Sequence, residues 1–203
     1  SDLSIGISGF SRDGNVRIRF DSVSAESLGA YGGTATGSVW VEAGGVTTTA
    51  SRTGLIGSAI QIQAAADADV ALGGAVVAEQ GLGISVQNGG DARDTVAATG
   101  SIDADYSGVG IVAGGAARIA NQGWIAGVPL GVAASGSSVE LVNDGEIFSR
   151  DGGGVLLDAP GAVAISGTGS VAGGGGDMAH ALRAGGGTVT IAQSEVAAYG
   201  DEA

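Results

Sequence analysis

The sequence predicts an all-β protein folded as a right-handed parallel β-helix, a solenoid with about 22–26 residues per coil and three short strands in each coil. Three observations lead to this prediction. An aliphatic pattern recurs about every 24 residues, apolar side chains occupy every second position leading into several copies, and glycine marks a fixed position in nearly all copies.

The repeat consists of an aliphatic residue, three variable positions, a glycine, one variable position and a second aliphatic residue. Ile119–Ile125 (IANQGWI) and Leu141–Ile147 (LVNDGEI) show it most clearly. The copies begin at Val70, Val96, Ile119, Leu141, Ile165 and Ile191, and the last copy is one residue shorter and lacks the glycine. Their starting positions are 26, 23, 22, 24 and 26 residues apart, a variation that solenoids accommodate in the loops between strands.

A second aliphatic position precedes each copy. At the start of several copies, apolar side chains occupy every second position, as in Val139-Glu140-Leu141. This period of two indicates strands with one face inward, and the short strands leave no room for a helix in each repeat. The leucine-dense pattern of a horseshoe is absent, and a propeller blade needs about 40 residues. The second aliphatic positions are Ile60, Ile84, Ile111, Val132, Val155 and Leu182.

The repeat predicts structural residues, and we predict no catalytic residue, no metal site and no cofactor. Its glycines should occupy corners that need positive φ, a conformation that glycine adopts at little cost. Asn121 and Asn143 fall at equivalent corners of adjacent coils, where stacked amides would form a ladder of two rungs. Ala98 and Gly167 take the equivalent positions on either side. The predicted structural residues are Asn121, Asn143, Gly74, Gly100, Gly123, Gly145 and Gly169.

Residues 1–57 follow the repeat poorly, whereas residues 58–203 follow it throughout. Alternation in Val16–Phe20 and Val39–Glu42 still predicts strands, so we expect irregular N-terminal coils of the same solenoid, or a cap. Terminal repeats are usually atypical because an open end exposes unpaired strand edges. Gly200–Ala203 follows the last copy directly, from which we expect the chain to be part of a longer protein.

Composition limits the partners. The 203 residues include 21 acidic and 8 basic side chains, all of the latter arginine, for a net charge of −13. Such a chain is repelled by phosphate backbones, so we predict no nucleic-acid partner. No apolar run is long enough to span a membrane. The chain has no cysteine and is 44% hydrophobic but only 4% aromatic, which predicts a core of Val, Ile, Leu and Ala.

Two pairs of carboxylates are candidates for catalysis. Asp67 and Asp69, like Asp103 and Asp105, alternate around one residue and would share a strand face. Glycoside hydrolysis uses two carboxylates about 5–10 Å apart. Outward positions are also where a solenoid places its solubilising charge, and we favour this second interpretation.

His180 is the single histidine, and Asp177 is near enough in sequence to form an acid–base pair with it. We favour a loop or surface role for His180. The run Gly173–Asp177 is similar to the calcium-binding G-G-x-G-x-D repeat, but its acid comes one position early and the run does not recur.

The two tryptophans, Trp40 and Trp124, lie at strand positions next to inward aliphatic residues. Trp124 would alternate outward from Ile125 and, beside Tyr106, could form a platform for a sugar or a protein. We favour the alternative in which the ring lies flat against neighbouring coils.

Ile119–Gly127 (IANQGWIAG), Val142–Ile147 (VNDGEI) and Gly154–Leu157 (GVLL) resemble the passenger domains of autotransporters, the type V secreted proteins of Gram-negative bacteria. The resemblance covers about residues 58–200. It implies a right-handed β-helix exported through the periplasm and across the outer membrane by a C-terminal translocator outside this sequence, and then displayed at the cell surface. No functional residue carries over, because the shared residues are structural.

We therefore expect a secreted, surface-exposed adhesive or structural segment, with a glycan or protein on a host or neighbouring cell as partner, or with self-association. One alternative is a polysaccharide-active β-helix enzyme, either a glycoside hydrolase or a lyase. The arginines that a lyase would use against acidic sugars are widely spread in the sequence, which disfavours a lyase. The other alternative is an inert stalk that carries a separate functional domain.

Overall fold

The computed structural model describes residues 5–48, 57–175 and 180–199. These residues form 22 β-strands and no helix. The strands are β1 (Ile5–Ser11), β2 (Val16–Phe20), β3 (Val23–Ala25), β4 (Leu28–Thr34), β5 (Val39–Ala43), β6 (Val46–Thr48), β7 (Gly57–Ala64), β8 (Ala68–Leu72), β9 (Ala75–Ala78), β10 (Gly81–Asn88), β11 (Ala92–Val96), β12 (Ser101–Ala104), β13 (Val109–Ala113), β14 (Ala116–Asn121), β15 (Trp124–Gly127), β16 (Leu130–Ser135), β17 (Ser138–Asn143), β18 (Glu146–Ser149), β19 (Gly153–Asp158), β20 (Ala162–Gly174), β21 (Leu182–Gly185) and β22 (Thr188–Tyr199).

The strands stack in three parallel faces. The first face is a sheet in the order β1-β4-β7-β10-β13-β16-β19-β21. The second face runs β2-β5-β8-β11-β14-β17-β20 and the third β3-β6-β9-β12-β15-β18-β20, joined because the long strands β20 and β22 each cover both faces. Every strand therefore pairs with the strand one coil away, which gives a β-solenoid of about eight turns. The predicted parallel β-helix with three strands per coil is confirmed.

The core consists of aliphatic columns that run along the solenoid axis. Val76, Ile102, Ile125 and Ile147 lie one above another on the third face, and all four are fully buried. Each such side chain contributes about 1.5–3 kcal/mol by its removal from water. Residues between the inward positions point outward, as the period of two predicts.

The predicted second column is wrong in one coil. Val109, rather than Ile111, pairs with Ile84 on one side and with Val132 on the other. Ile111 pairs with Val86 two residues further along the strand. Val109 and Ile111 both face inward from β13, so the alternation of inward and outward residues did not distinguish them.

The column formed by the first residue of each repeat copy is also displaced by two residues in the preceding coil. The residue that stacks between Val70 and Ile119 is Asp94, whereas Val96 lies next to Asn121. Ala98, predicted as the neighbour of Asn121, lies in a turn. Eight positions separate the inward residues Asp94 and Ile102 in this coil, whereas six separate Ile119 and Ile125 in the next one. The two additional residues lie in the turn after β11.

The repeated glycines are needed for a different reason from the predicted one. Among the described glycines, positive φ occurs only at Gly152, Gly167 and Gly175, none of which belongs to the predicted set. A Cβ on Gly123 would instead overlap the carbonyl oxygen of Gly100 one coil earlier. The same overlap with the preceding coil's backbone occurs at Gly74, Gly145 and Gly169, while Gly100 has tight contacts at 3.0–3.1 Å. Close stacking of backbones therefore excludes a side chain along this column.

The N-terminal strands belong to the same three faces as the later ones, since β4, β5 and β6 pair directly with β7, β8 and β9. Residues 49–56, next to the predicted boundary at residue 57, lie outside the described residues, as does Gly200–Ala203. The division at residue 57 stays a prediction.

Candidate functional site

The second face presents a straight row of polar and aromatic side chains to solvent. Its members, one from each of six consecutive coils, pair in register along β2, β5, β8, β11, β14 and β17. Strands in a sheet are about 4.8 Å apart, so the row is about 24 Å long. We call it the charged row: Arg17, Trp40, Asp69, Arg93, Arg118 and Glu140.

The row arises because each member alternates with inward apolar residues on its own strand. Arg17 lies between the buried residues Val16 and Ile18, and Trp40 lies between Val39 and Val41. Trp40 is half-buried, with Arg17 on one side and Asp69 on the other. It therefore offers a flat apolar surface between a hydrogen-bond donor and an acceptor.

The sequence interpretation missed this row because the arginines are far apart in the chain. Arg93 and Arg118 are separated by 25 residues, which is one coil, and they pair directly. With Val96 aligned to Ile119, Arg118 would have paired with Thr95 instead. The coil spacing contained the signal, but the two-residue error in register hid it.

Arg118 forms two ion pairs, with Asp91 and with Glu140. Its guanidinium lies 3.3 Å from Asp91 and 3.7 Å from Glu140, in exposed ion pairs that typically contribute about 0–1 kcal/mol each. The Ala116 N–H and the Arg118 side chain both donate to Asp91, and these bonds lower the pKa of that carboxyl below its usual value. The contacts fix the position of Arg118 while leaving much of its side chain open to solvent.

A ladder of side-chain acceptors links successive coils at the corner that precedes the second face. The Asp67 N–H donates to Ser38 Oγ, the Asp91 N–H donates to Asp67 Oδ1, and the Ala116 N–H donates to Asp91 Oδ1. Each acceptor satisfies a backbone donor one coil further along. Asp67 therefore helps to hold the coils together.

The second candidate carboxylate pair also has structural contacts. Asp103 forms an ion pair with Arg150, and Asp105 accepts a hydrogen bond of 3.1 Å from the Gln80 N–H. Asp69, in contrast, belongs to the charged row. Outward Asp residues therefore either bind other coils or contribute to the exposed row.

The two predicted asparagines lie buried at adjacent corners. The Asn121 amide donates to Asn143 Oδ1 at 2.8 Å, and the Asn143 amide donates to the Ser170 carbonyl at 2.9 Å. Gly167 provides no side chain at the next position, and there Gln193 reaches across to donate to the carbonyls of Gly169 and Asn143. Buried amides thus satisfy the backbone carbonyls of the turn.

Asp94 is the ionisable group that the core encloses completely. It is fully buried between Val70 and Ile119, and neither carboxylate oxygen has a hydrogen-bond partner of good geometry. Burial raises its pKa to about 7, although the Thr95 N–H offsets part of this effect. Arg93 and Arg118 lie on the outward side of the same strands, so no described basic group faces it in the core.

His180 borders a shallow groove of about 400 Å³ on the first face. Leu130, Val155 and Leu156 contribute to its apolar floor, and Arg183 stands with His180 at the rim. The groove can hold a small apolar group that carries a hydrogen-bond acceptor. Asp177, the predicted partner of His180 and the acid of the predicted calcium motif, lies outside the described residues. Within the described ranges, no group of three His, Cys, Asp or Glu side chains could hold a metal ion.

Trp124 lies on the third face, half-buried between Ser101 and Glu146 of adjacent coils. Tyr106 is exposed in the loop that follows β12. The platform of these two rings, which was the less favoured alternative for Trp124, stays a hypothesis.

Comparisons of the sequence with protein families, with curated proteins and with solved structures found no match. In the part of the chain that the structure describes, no helix has the length and apolar character needed to cross a membrane.

Proposed function

We propose that the chain is an adhesive and structural module of a secreted bacterial surface protein, which binds a glycan or a protein partner along the charged row and can associate with itself. The observation that carries this proposal is the row itself. It places an aromatic ring, cationic groups and carboxylates at regular intervals on an exposed, rigid face.

The chemistry of the row fits a glycan. The half-buried ring of Trp40 can stack against the apolar face of a sugar, while Arg17 and Asp69 can bond to its hydroxyl groups. Tryptophan and arginine are also the residues that contribute most to binding at protein interfaces. A row of about 24 Å suits an extended ligand that makes several weak contacts at once.

The resemblance to autotransporter passenger domains supports a location at the bacterial surface. A β-solenoid is the fold expected of that family, and the absence of cysteine is compatible with export. The adhesive role is favoured over a polysaccharide-active enzyme because Asp67, Asp103 and Asp105 all have partners in other coils of the solenoid.

The proposal can be tested with an array of glycans, the purified chain and two variants. Trp40→Ala removes the ring from the charged row, whereas Gln87→Ala removes an exposed side chain from the first face. We expect a glycan to bind the parent chain and the Gln87→Ala variant, with at least about tenfold weaker binding to Trp40→Ala. Circular dichroism of each variant checks that the fold is kept.

Incubation of the chain with every bound glycan completes the test. Binding without cleavage supports the adhesive role. Cleavage of a bound glycan would overturn it in favour of the enzyme, and equal binding by both variants would show that the charged row is not the contact surface. A parent chain that binds no glycan or protein and does not self-associate would favour the inert stalk.

A further inference from the structure

The first face of the solenoid carries far less charge than the second. Its first six strands, β1, β4, β7, β10, β13 and β16, contain no Asp, Glu, Arg, Lys or His. In the same six coils, every strand of the second face contains at least one charged residue. On the strands of the first face, charged residues occur only on the last two, as Asp158 and Arg183. A chain with a net charge of −13 therefore has one long side that is almost free of charge.

Apolar and amide side chains point outward from the first face into solvent. Phe10 on β1 is 70% exposed, and Val112 on β13 is 57% exposed. Gln61 and Gln63 lie on β7 between them, and the Tyr31 hydroxyl donates to Gln63 at 3.3 Å. Surfaces that bind other proteins are depleted of charge at their centre and enriched in aromatic residues. The first face has this composition over six coils.

The outward residues of the first face form two rows along the solenoid, because positions two apart on a strand share a side. One row includes Ser8, Gly110 and Arg183, and the other includes Phe10, Val112 and Asp158. On β1 and β13 the first row has the smaller residue and the second row has the larger one. A Cβ on Gly110 would have its nearest neighbour at 3.8 Å, so there is open space above this glycine.

Two copies of such a face fit each other about a two-fold axis that runs between them, parallel to the solenoid axis. This symmetry places the first row of each copy opposite the second row of the other. Phe10 then faces Ser8, and Val112 enters the open space above Gly110. Arg183 of each copy comes beside Asp158 of the other, one strand away, so the two charged residues of the face meet opposite charges.

We propose that this protein forms a dimer in which the first faces of two copies pack against each other, with both solenoids pointing in the same direction. Eight strands about 4.8 Å apart and about five residues wide give a contact of about 38 Å by 17 Å, or about 650 Å² on each copy. The total of about 1,300 Å² lies in the range of stable protein–protein interfaces. Because the contact uses the sides of the solenoid, it does not depend on where the chain begins or ends. The proposal rests on the self-association part of the proposed function and does not involve the charged row.

Carboxylates stand at the corners beside the first face. Glu79 and Asp105 precede β10 and β13, and Asp91 follows β10. Residues 49–56 and 176–179, which precede β7 and β21 in sequence, lie outside the described residues and include Arg52 and Asp177. The described carboxylates stay at the rim of the proposed contact, where water and salt screen their repulsion. Packing through the second face would instead enclose the charged row.

Sedimentation velocity over a range of protein concentrations measures the dimer in the parent chain and in two variants. Val112→Glu introduces a carboxylate near the centre of the first face, and the two-fold symmetry places one from each copy in the contact. Val142→Glu introduces the same charge at an outward valine of the second face, where Ala120 and Ser166 are its uncharged neighbours. We expect the parent and Val142→Glu to dimerise and Val112→Glu to raise the dissociation constant at least about tenfold. The parent dimer should also become tighter as salt rises, because the charges at the rim repel each other.

The orientation of the two copies is tested with a thiol-specific crosslinker, since the chain has no cysteine. Ser8→Cys lies on β1 of the first face, and Ser24→Cys lies on β3 of the third face in the same coil, both at exposed positions. In the proposed dimer the two Ser8 positions are about 12 Å apart, whereas solenoids pointing in opposite directions would separate them by about 34 Å along the axis. A crosslinker that spans about 12 Å should therefore join copies of Ser8→Cys and not copies of Ser24→Cys.

A parent chain that stays monomeric, with its first face left for a different partner, would overturn the proposal. So would a Val112→Glu chain that dimerises as the parent does, a dimer that weakens as salt rises, or crosslinking of Ser8→Cys no greater than that of Ser24→Cys. Circular dichroism checks the fold of each variant. Glycan binding by Val112→Glu, whose charged row is intact, tests the proposed adhesive role separately.

Discussion

Replacing Asp94 with asparagine or valine should stabilise the protein, and the gain should grow as the pH rises. Asp94 occupies an inward position between Val70 and Ile119, with no exposed surface and no hydrogen-bond partner of good geometry for its oxygens. An ionised carboxylate in such a site has lost its hydration, and the Thr95 N–H compensates only part of that loss. The protein is therefore most stable when this group is protonated.

The size of the effect follows from the shift in pKa. Burial raises the pKa of Asp94 from 3.8 to about 7. Three pH units at about 1.36 kcal/mol each correspond to a penalty of about 4 kcal/mol when the group is fully ionised. Because the folded state holds the proton more tightly, the unfolded state carries fewer protons between the two pKa values. The free energy of unfolding therefore falls as the pH rises from about 4 to 7, and then levels off.

Denaturant unfolding of the parent and the Asp94→Asn variant at several values between pH 4 and pH 8 measures this dependence. Asp91, whose pKa is lowered, and every other ionisable side chain are the same in both chains, so the difference between the curves isolates Asp94. We expect that difference to increase in favour of Asp94→Asn by about 4 kcal/mol across the range. The Asp94→Val variant should show the same dependence. Parallel curves for parent and variants would refute the placement of Asp94 inside the core.

Three further pairs of matched substitutions test the coil stacking and the inward and outward positions by denaturant unfolding. Gly145→Ala would place a Cβ against the Gly123 carbonyl and should destabilise the protein by about 2 kcal/mol or more. Gly110→Ala should be nearly neutral, because its Cβ would have its nearest neighbour at 3.8 Å. Equal effects of the two changes would contradict the close approach of the backbones. Asn143→Ala leaves the Asn121 amide and the Ser170 carbonyl without their partner and should lower the free energy of unfolding by about 1–3 kcal/mol. Gln122→Ala, at the exposed neighbouring turn, should change the stability little. A neutral Asn143→Ala would show that the asparagine ladder does not stabilise the fold. Val155→Asp places a carboxylate at a position that is 1% exposed and should destabilise the protein by about 4 kcal/mol or more. Asp103→Ala loses only an exposed ion pair, which contributes about 0–1 kcal/mol. Similar losses of stability for the two changes would contradict the assignment of inward and outward positions.

The repeat allowed the fold to be predicted because burial in a solenoid is periodic. Aliphatic residues recur once per coil at each inward position, and the period of two separates inward from outward residues along each strand. The same period explains the errors. Residues two apart, such as Val109 and Ile111, share a face, so the pattern specifies the face of a strand but not which of two residues meets its neighbour.

The candidate site could not be predicted because it depends on that register. An acid at an inward position runs against the hydrophobic pattern, which therefore selected Val96 in place of Asp94. The resulting displacement separated Arg93 from Arg118 and concealed the charged row. The glycine column was recognised from its spacing, but its cause lies in contacts between coils that the spacing does not show.

The coil register underlies the core position of Asp94 and the charged row, and a pair of engineered cysteines tests it directly. Thr95 and Ala120 pair across adjacent strands, so their Cα atoms are about 5 Å apart, within the range for a disulfide. The alternative register, in which Val96 pairs with Ile119, would instead bring Ala97 next to Ala120. Because the chain has no cysteine, mild oxidation of each double variant, followed by electrophoresis with and without reductant, reports the pairing alone. We predict rapid disulfide formation in Thr95→Cys/Ala120→Cys and little in Ala97→Cys/Ala120→Cys, and the reverse result would contradict the register.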